Sequence, residues 1–248
     1  MSSTTSHDST HALPARPKEL AMHFDTLHQQ YQSAKLGMWL FLAQEILFFA
    51  GLFCAYAVYR GNHPEMFHDA HFFLDTKLGA INTVVLLCSS LTAAWSVRCA
   101  QLEQRKGLIA TIVLTILAAC TFMVIKYFEY SHKVHIGAVW GESFGIVDAA
   151  HNLPQSLLDA YPGKSAEEVA ALLKQNNTGT FFSIYFCMTG LHGIHVLIGI
   201  GVYLWLLSRA VKGHFNRKYY AAVDNVALYW HIVDIIWIFL FPLLYLIG

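Results

Sequence analysis

Long apolar runs divide the chain at Leu36–Tyr59, Leu78–Val97, Leu108–Phe128, Gly179–Leu207 and Ala221–Ile247. Each is long enough to cross a bilayer, since ~20 residues at ~1.5 Å rise span a hydrocarbon core of ~30 Å. The runs are continuous and rich in Leu, Ile, Phe and Ala. Barrel strands would be short and alternating instead, so these read as helices. The pattern predicts an all-α membrane protein, a five-transmembrane-helix bundle occupying residues 36–248. Residues 1–35 are polar, carry Pro14 and Pro17, and contain no apolar signal-peptide core. They read as a cytoplasmic tail, largely disordered to about Ala21.

One connection breaks the rhythm. Val134–Thr178 shows little hydrophobicity until Leu157, then a capping box, Ser165 to Glu168, followed by Val169, Leu172 and Leu173. That spacing predicts a surface helix of about ten residues. An insertion as long as 134–178 packs on its own bundle or meets a partner.

Composition agrees with the pattern. Charged residues make up 13% of the chain, against about 25% in soluble domains. Sixteen basic and sixteen acidic residues balance, so nothing points to nucleic acid. Orientation follows from where the lysines and arginines fall. With the N-terminus cytoplasmic and the C-terminus outside, the inner segments hold Arg16, Lys18, Lys35, Arg98, Arg105, Lys106, Arg209, Lys212, Arg217 and Lys218. The outer segments hold only Arg60, Lys77, Lys133, Lys164 and Lys174, which is the positive-inside arrangement.

Cys54, Cys88, Cys99, Cys120 and Cys187 stand singly, mostly in apolar runs, and read as small packing residues rather than disulfides or zinc ligands. The tail histidines His7, His11, His23 and His28 read as solvated side chains. His63, His68 and His71, with Asp69, cluster after the first run. No ordered helix is expected to hold them together as metal ligands.

The polar residues within the runs are the informative ones. Glu45 lies near the middle of the first, where an ionised carboxylate costs ~2.5–3.5 kcal/mol. Desolvation favours the neutral acid there. It reads equally as a proton-relay carboxyl, a reactive protonated acid, or a strut bonded to a neighbouring helix. His192 and His195 share a helix face flanked by Gly190, Gly193, Gly199 and Gly201, which predicts a close helix contact. His231 and Asp234 repeat the spacing in the last run. Histidines on facing helices can ligate haem, but no second matched pair accompanies these, and hydrogen-bonding struts are the preferred reading. Lys126 and Glu129 are spaced to pair near the outer surface. No catalytic motif is present.

The run Lys35-Leu-Gly-Met-Trp-Leu-Phe-Leu-Ala-Gln-Glu45-Ile-Leu-Phe-Phe49 resembles a helix of the cytochrome c oxidase subunit III family in its five-helix form. Ile81-Asn82-Thr83, Lys126-Tyr-Phe-Glu129-Tyr, Thr180-Phe-Phe182 with Thr189-Gly-Leu-His192-Gly-Ile-His195, and Tyr229-Trp-His231-Ile-Val-Asp234-Ile-Ile-Trp237 resemble the following helices in order. The resemblance implies a non-catalytic subunit of a haem–copper terminal oxidase in the bacterial cytoplasmic membrane. Such a subunit packs on subunit I beside subunit II, binds phospholipid, and supports stability and proton uptake. It implies no cofactor in this chain, with haems and copper in the partners. Glu45 would correspond to the family's carbodiimide-reactive carboxyl. Glu45, Asn82, His192, His195, His231 and Asp234 are expected to form an interior polar network. The electron donor would be cytochrome c, or quinol as in similar oxidases. Segment 134–178, longer than the family's usual connection, is expected to meet a donor or a further subunit. Other classes would be a haem b membrane anchor using His192 and His231, or a transporter using Glu45. The inverted repeats of a transporter are not visible.

Overall fold

The computed structural model describes residues 20–139, 153–217 and 219–246. Among them run α1 (Leu27–Asn62), α2 (Pro64–His71), α3 (Thr76–Gln101), α4 (Arg105–His135), α5 (Gln155–Ala160), α6 (Ala166–Gln175), α7 (Thr178–Val211) and α8 (Ala221–Tyr245). Five of these, α1, α3, α4, α7 and α8, are long and apolar enough to cross a membrane, as the runs predicted. Most of the tail, with His7 and His11, and residues 140–152 of the insertion lie outside the described residues.

Helix ends follow local chemistry. Thr26 Oγ1 accepts the Gln29 amide at 3.1 Å, so α1 begins at Leu27, ahead of the apolar run that opens at Leu36. Asp75 caps α3 by accepting the Lys77 and Leu78 amides. The capping box predicted at Ser165 and Glu168 is formed and starts α6. Two helices were not foreseen, α2 and α5, of eight and six residues. Too short to display a clear period, they are held by burial of Met66, Phe67 and Ala70 on one and Leu157 on the other.

Helices α3, α4, α7 and α8 close a ring in which each packs on two others, while α1 leans on α8. Half of the apolar window of α8 is buried, against 17% for α1, so α8 is the centre of the bundle and α1 its outrigger. The only buried residues of α1 are Leu42, Glu45, Phe49 and Tyr56, a narrow helical stripe. Leu36, Trp39, Leu40, Leu47 and Phe48 face outward, into lipid or a neighbouring subunit. The short helices α2 and α6 pack on α7 at the end of the bundle away from the tail, called here the capped end.

Polar side chains tie the ring together across helices. The Trp230 and Trp237 indoles of α8 donate to Ser89 Oγ at 2.9 Å and Thr83 Oγ1 at 3.1 Å on α3. Tyr229 donates to the His195 carbonyl of α7 at 2.9 Å, and Tyr56 bonds the Leu243 carbonyl. An indole or phenol can be buried in this way because its polar tip finds a partner.

Two expectations need correction. Of the four glycines beside the α7 histidines, only Gly199 meets a neighbour: a Cβ there would lie 2.6 Å from the Trp230 ring. Gly190, Gly193 and Gly201 face open space. The close contact is therefore an indole seated on one glycine, not a backbone seam. The cysteines are free, and only Cys99 is buried. The other four lie on the outside of the bundle, because thiols are apolar enough to stand there.

Gly199→Ala is expected to lower the thermal unfolding midpoint by the equivalent of about 1–3 kcal/mol of overpacking. Gly193→Ala should leave it unchanged or slightly raised. Differential scanning fluorimetry of the detergent-solubilised protein makes the comparison.

Candidate functional site

The buried stripe of α1 carries Glu45 to α7, where Glu45 Oε2 lies 2.9 Å from His195 Nε2. His195 Nδ1 is 2.8 Å from the Leu191 carbonyl. A carbonyl only accepts, so Nδ1 carries the proton. One more proton is then shared between Nε2 and the carboxyl. In one state the neutral acid donates to Nε2, and in the other the imidazolium donates to the carboxylate. Phe49 packs edge-on against the imidazole, with ring centroids 5.2 Å apart. The pair keeps a little exposure, 11% for Glu45 and 15% for His195, at the join between α1 and the ring. Glu45 is thus hydrogen-bonded to a neighbouring helix.

A second centre lies near the capped end. Glu129 Oε2 accepts Lys126 at 2.8 Å, and Oε1 accepts Lys133 at 2.8 Å, Tyr185 at 2.8 Å and Tyr245 at 2.5 Å. Lys126 also donates to the Tyr245 hydroxyl at 2.7 Å and lies 4.5 Å from the Trp237 ring centroid. The ion pair expected at Lys126 and Glu129 is present, and it is enclosed within the bundle. Lys126, Glu129 and Lys133 are 6%, 4% and 1% exposed, because tyrosines from α7 and α8 close over them. Lys133, read from the sequence as an outer-loop charge, is a buried member of this centre. Its i+4 spacing from Glu129 was the available signal.

The remaining candidates do not join one network. His231 Nδ1 lies 2.8 Å from Ser90 Oγ on α3. His192 is fully buried, its ring 5.6 Å from Phe122 and 5.2 Å from Trp237 between centroids, with neither nitrogen hydrogen-bonded among the described residues. Asp234 and Asn82 are buried without geometric hydrogen bonds there, although Ser90 lies alongside Asp234. The six expected members thus divide into a Glu45–His195 pair, a His231–Ser90 pair with Asp234 alongside, and two separately packed side chains, Asn82 and His192.

At the capped end α2 places His68, Asp69 and His71 on one ordered helix, contrary to expectation. Asp69 is 1% exposed and accepts from Tyr161 at 2.6 Å and Asn176 Nδ2 at 3.0 Å. It thereby pins both ends of the 161–176 segment onto α2. Desolvation and the facing Asp69 carboxylate push the Tyr161 pKa up to about 12, so the phenol stays a donor at neutral pH. The insertion packs on its own bundle through this clamp.

Glu129→Gln leaves two buried ammonium groups without a carboxylate, and is expected to cost about 3–5 kcal/mol. Loss of folded protein on size-exclusion chromatography, set against a mild effect for the exposed Glu167→Gln, checks it.

A family model described as Cytochrome c oxidase subunit III matches residues 19–155 and 167–248. Cytochrome c oxidase subunit 3 of Loxodonta africana is 28% identical, over 88% of this chain and 70% of its own length. The protein of that name from Thermostichus vulcanus is 28% identical, over 92% of this chain and 94% of its own length. A probable quinol oxidase subunit 3 of Staphylococcus haemolyticus is 26% identical, over 90% and 94%. All five long helices fall within the matched residues, and the gap, 156–166, takes in most of α5, the connection after it and the first residue of α6.

Proposed function

The chain belongs to the cytochrome c oxidase subunit III family, and from that premise we propose that it braces the catalytic subunit of its oxidase without taking part in electron transfer. As a multi-pass membrane subunit of a haem–copper oxidase, it associates with other subunits of that complex. The proposed contacts are with subunits I and II, and the proposed setting is the bacterial cytoplasmic membrane, N-terminus inside and C-terminus outside. Cytochrome c is the proposed donor to the complex. The likeness to a quinol oxidase subunit 3 favours quinol as the second reading.

The observation that carries the proposal is the way the ionisable interior is engaged within the bundle. Glu45 answers His195, and Glu129 answers Lys126 and Lys133. These paired side chains are thus committed to holding helices in register. The Glu45–His195 pair lies at a partly exposed join, where an adjoining subunit drawing protons could reach it. The haem-anchor alternative would need His192 and His231 to turn toward one porphyrin. The contacts of His192 with Phe122 and Trp237, and the bond of His231 to Ser90, argue against that.

Affinity purification of this chain in mild detergent is expected to bring down subunits carrying haem and copper. Recovery of the chain alone, with a Soret band lost in His192→Ala, would instead support the haem anchor. In the intact complex, Glu45→Gln should abolish carbodiimide labelling of this chain and leave initial oxygen turnover within about twofold. An assembled but inactive Glu45→Gln oxidase would refute the bracing role.

A further inference from the structure

At the end of the bundle beside the tail, the α3–α4 turn, residues 102–104, meets the α7–α8 loop, residues 212–220. The two are clasped from both sides. Glu103, in left-handed backbone at φ 57°, accepts the Arg217 amide on Oε1 at 3.1 Å. Arg105 returns the contact, its guanidinium donating to the Val211 carbonyl. Asn216 and Tyr219 pair across the loop itself, so both rims are held by local bonds.

Between the rims lies a recess of about 400 Å³, lined by Arg98, Gln101, Leu102, Glu103, Arg217 and Tyr220. That volume falls within the ~300–1,000 Å³ of small-molecule sites. Two guanidiniums line it from separate segments, and neither has an ion pair or a side-chain hydrogen bond among the described residues. Each keeps a planar fork of donors whose geometry matches phosphate oxygens. Glu103 is the one carboxylate in the lining, and the Arg217 amide already occupies its Oε1. Lys106 and Lys212 at the flanking helix ends are exposed and form no ion pair among the described residues, so the local charge stays positive. Leu102 and the Tyr220 ring are the only apolar parts of the lining, which leaves no wall for an acyl chain. Basic turn residues alone need no ligand, since they orient a chain in the membrane. Topology does not require that two of them, from separate segments, line one clasped polar recess.

We propose that this recess binds a soluble polyphosphate anion, one phosphate on Arg98 and its neighbour on Arg217. The ligand chemistry is that of a nucleoside di- or triphosphate, or of free pyrophosphate.

The test titrates the intact oxidase complex in mild detergent with ATP, pyrophosphate, inorganic phosphate or short-chain phosphatidylglycerol, following binding by isothermal calorimetry. ATP or pyrophosphate should bind roughly tenfold or more tightly than inorganic phosphate, and Arg98→Gln and Arg217→Gln should each weaken that binding by a similar factor. Both positions are exposed, so the variants should fold. Lys77→Gln, at an exposed lysine of the capped end, should bind as the wild type does. Tighter binding of ATP would assign the site to a nucleotide, and equal or weaker binding than pyrophosphate would assign it to the phosphate chain alone. No polyphosphate binding, or an equal loss in Lys77→Gln, would overturn the proposal. Phosphatidylglycerol competing as well as pyrophosphate would overturn a soluble ligand. An acidic side chain of another subunit seated between Arg98 and Arg217 in an experimental structure of the complex would overturn the site.

Discussion

A charge enclosed among packed helices has no water to answer it, and the polar interior of this bundle follows from how that is met. Glu129 takes four donors from three helices. Remove its carboxylate and α4, α7 and α8 lose a common anchor. Buried ion pairs are poor sources of stability in themselves, but they discriminate sharply between correct and shifted registers. Apolar packing alone cannot do that in a lipid solvent as greasy as the helix faces. Glu45 and His195 tie α1 to α7 in the same way.

The neutral polar contacts do a similar task at lower stakes. Both α8 indoles reach hydroxyls on α3, and Trp230 rests on Gly199 of α7. The central helix is thus fixed against two neighbours by one residue. The outrigger α1 has no such seat along most of its length. Its outward tryptophan, leucines and phenylalanines fit a helix that gains its remaining contacts from lipid or from other subunits of the oxidase.

Much of this was legible in the sequence, for physical reasons. Membrane thickness fixes the length of a spanning helix, so the five apolar runs gave the bundle directly, and a Ser-x-x-Glu box located α6 because capping is local. The intrusive residues Glu45, Lys126 and Glu129 stood out by their cost. What remained hidden depends on which faces meet. Period alone does not say that Lys133 turns inward under Tyr185 and Tyr245, that three of four glycines on α7 face outward, or that the imidazoles of His192 and His231 part company. Asp69 was visible as one of a group of possible ligands. Its work as the clamp on Tyr161 and Asn176 needs the insertion folded back on α2, a contact between residues about a hundred positions apart.

The central claim is that the chain holds helices and not metals. It is met most directly by preparing the oxidase complex with and without this chain, and measuring iron and copper per catalytic subunit while following oxygen consumption through repeated turnovers. The expected result is an unchanged metal content with activity that decays sooner when the chain is missing. Iron or copper lost in step with the chain would contradict the claim.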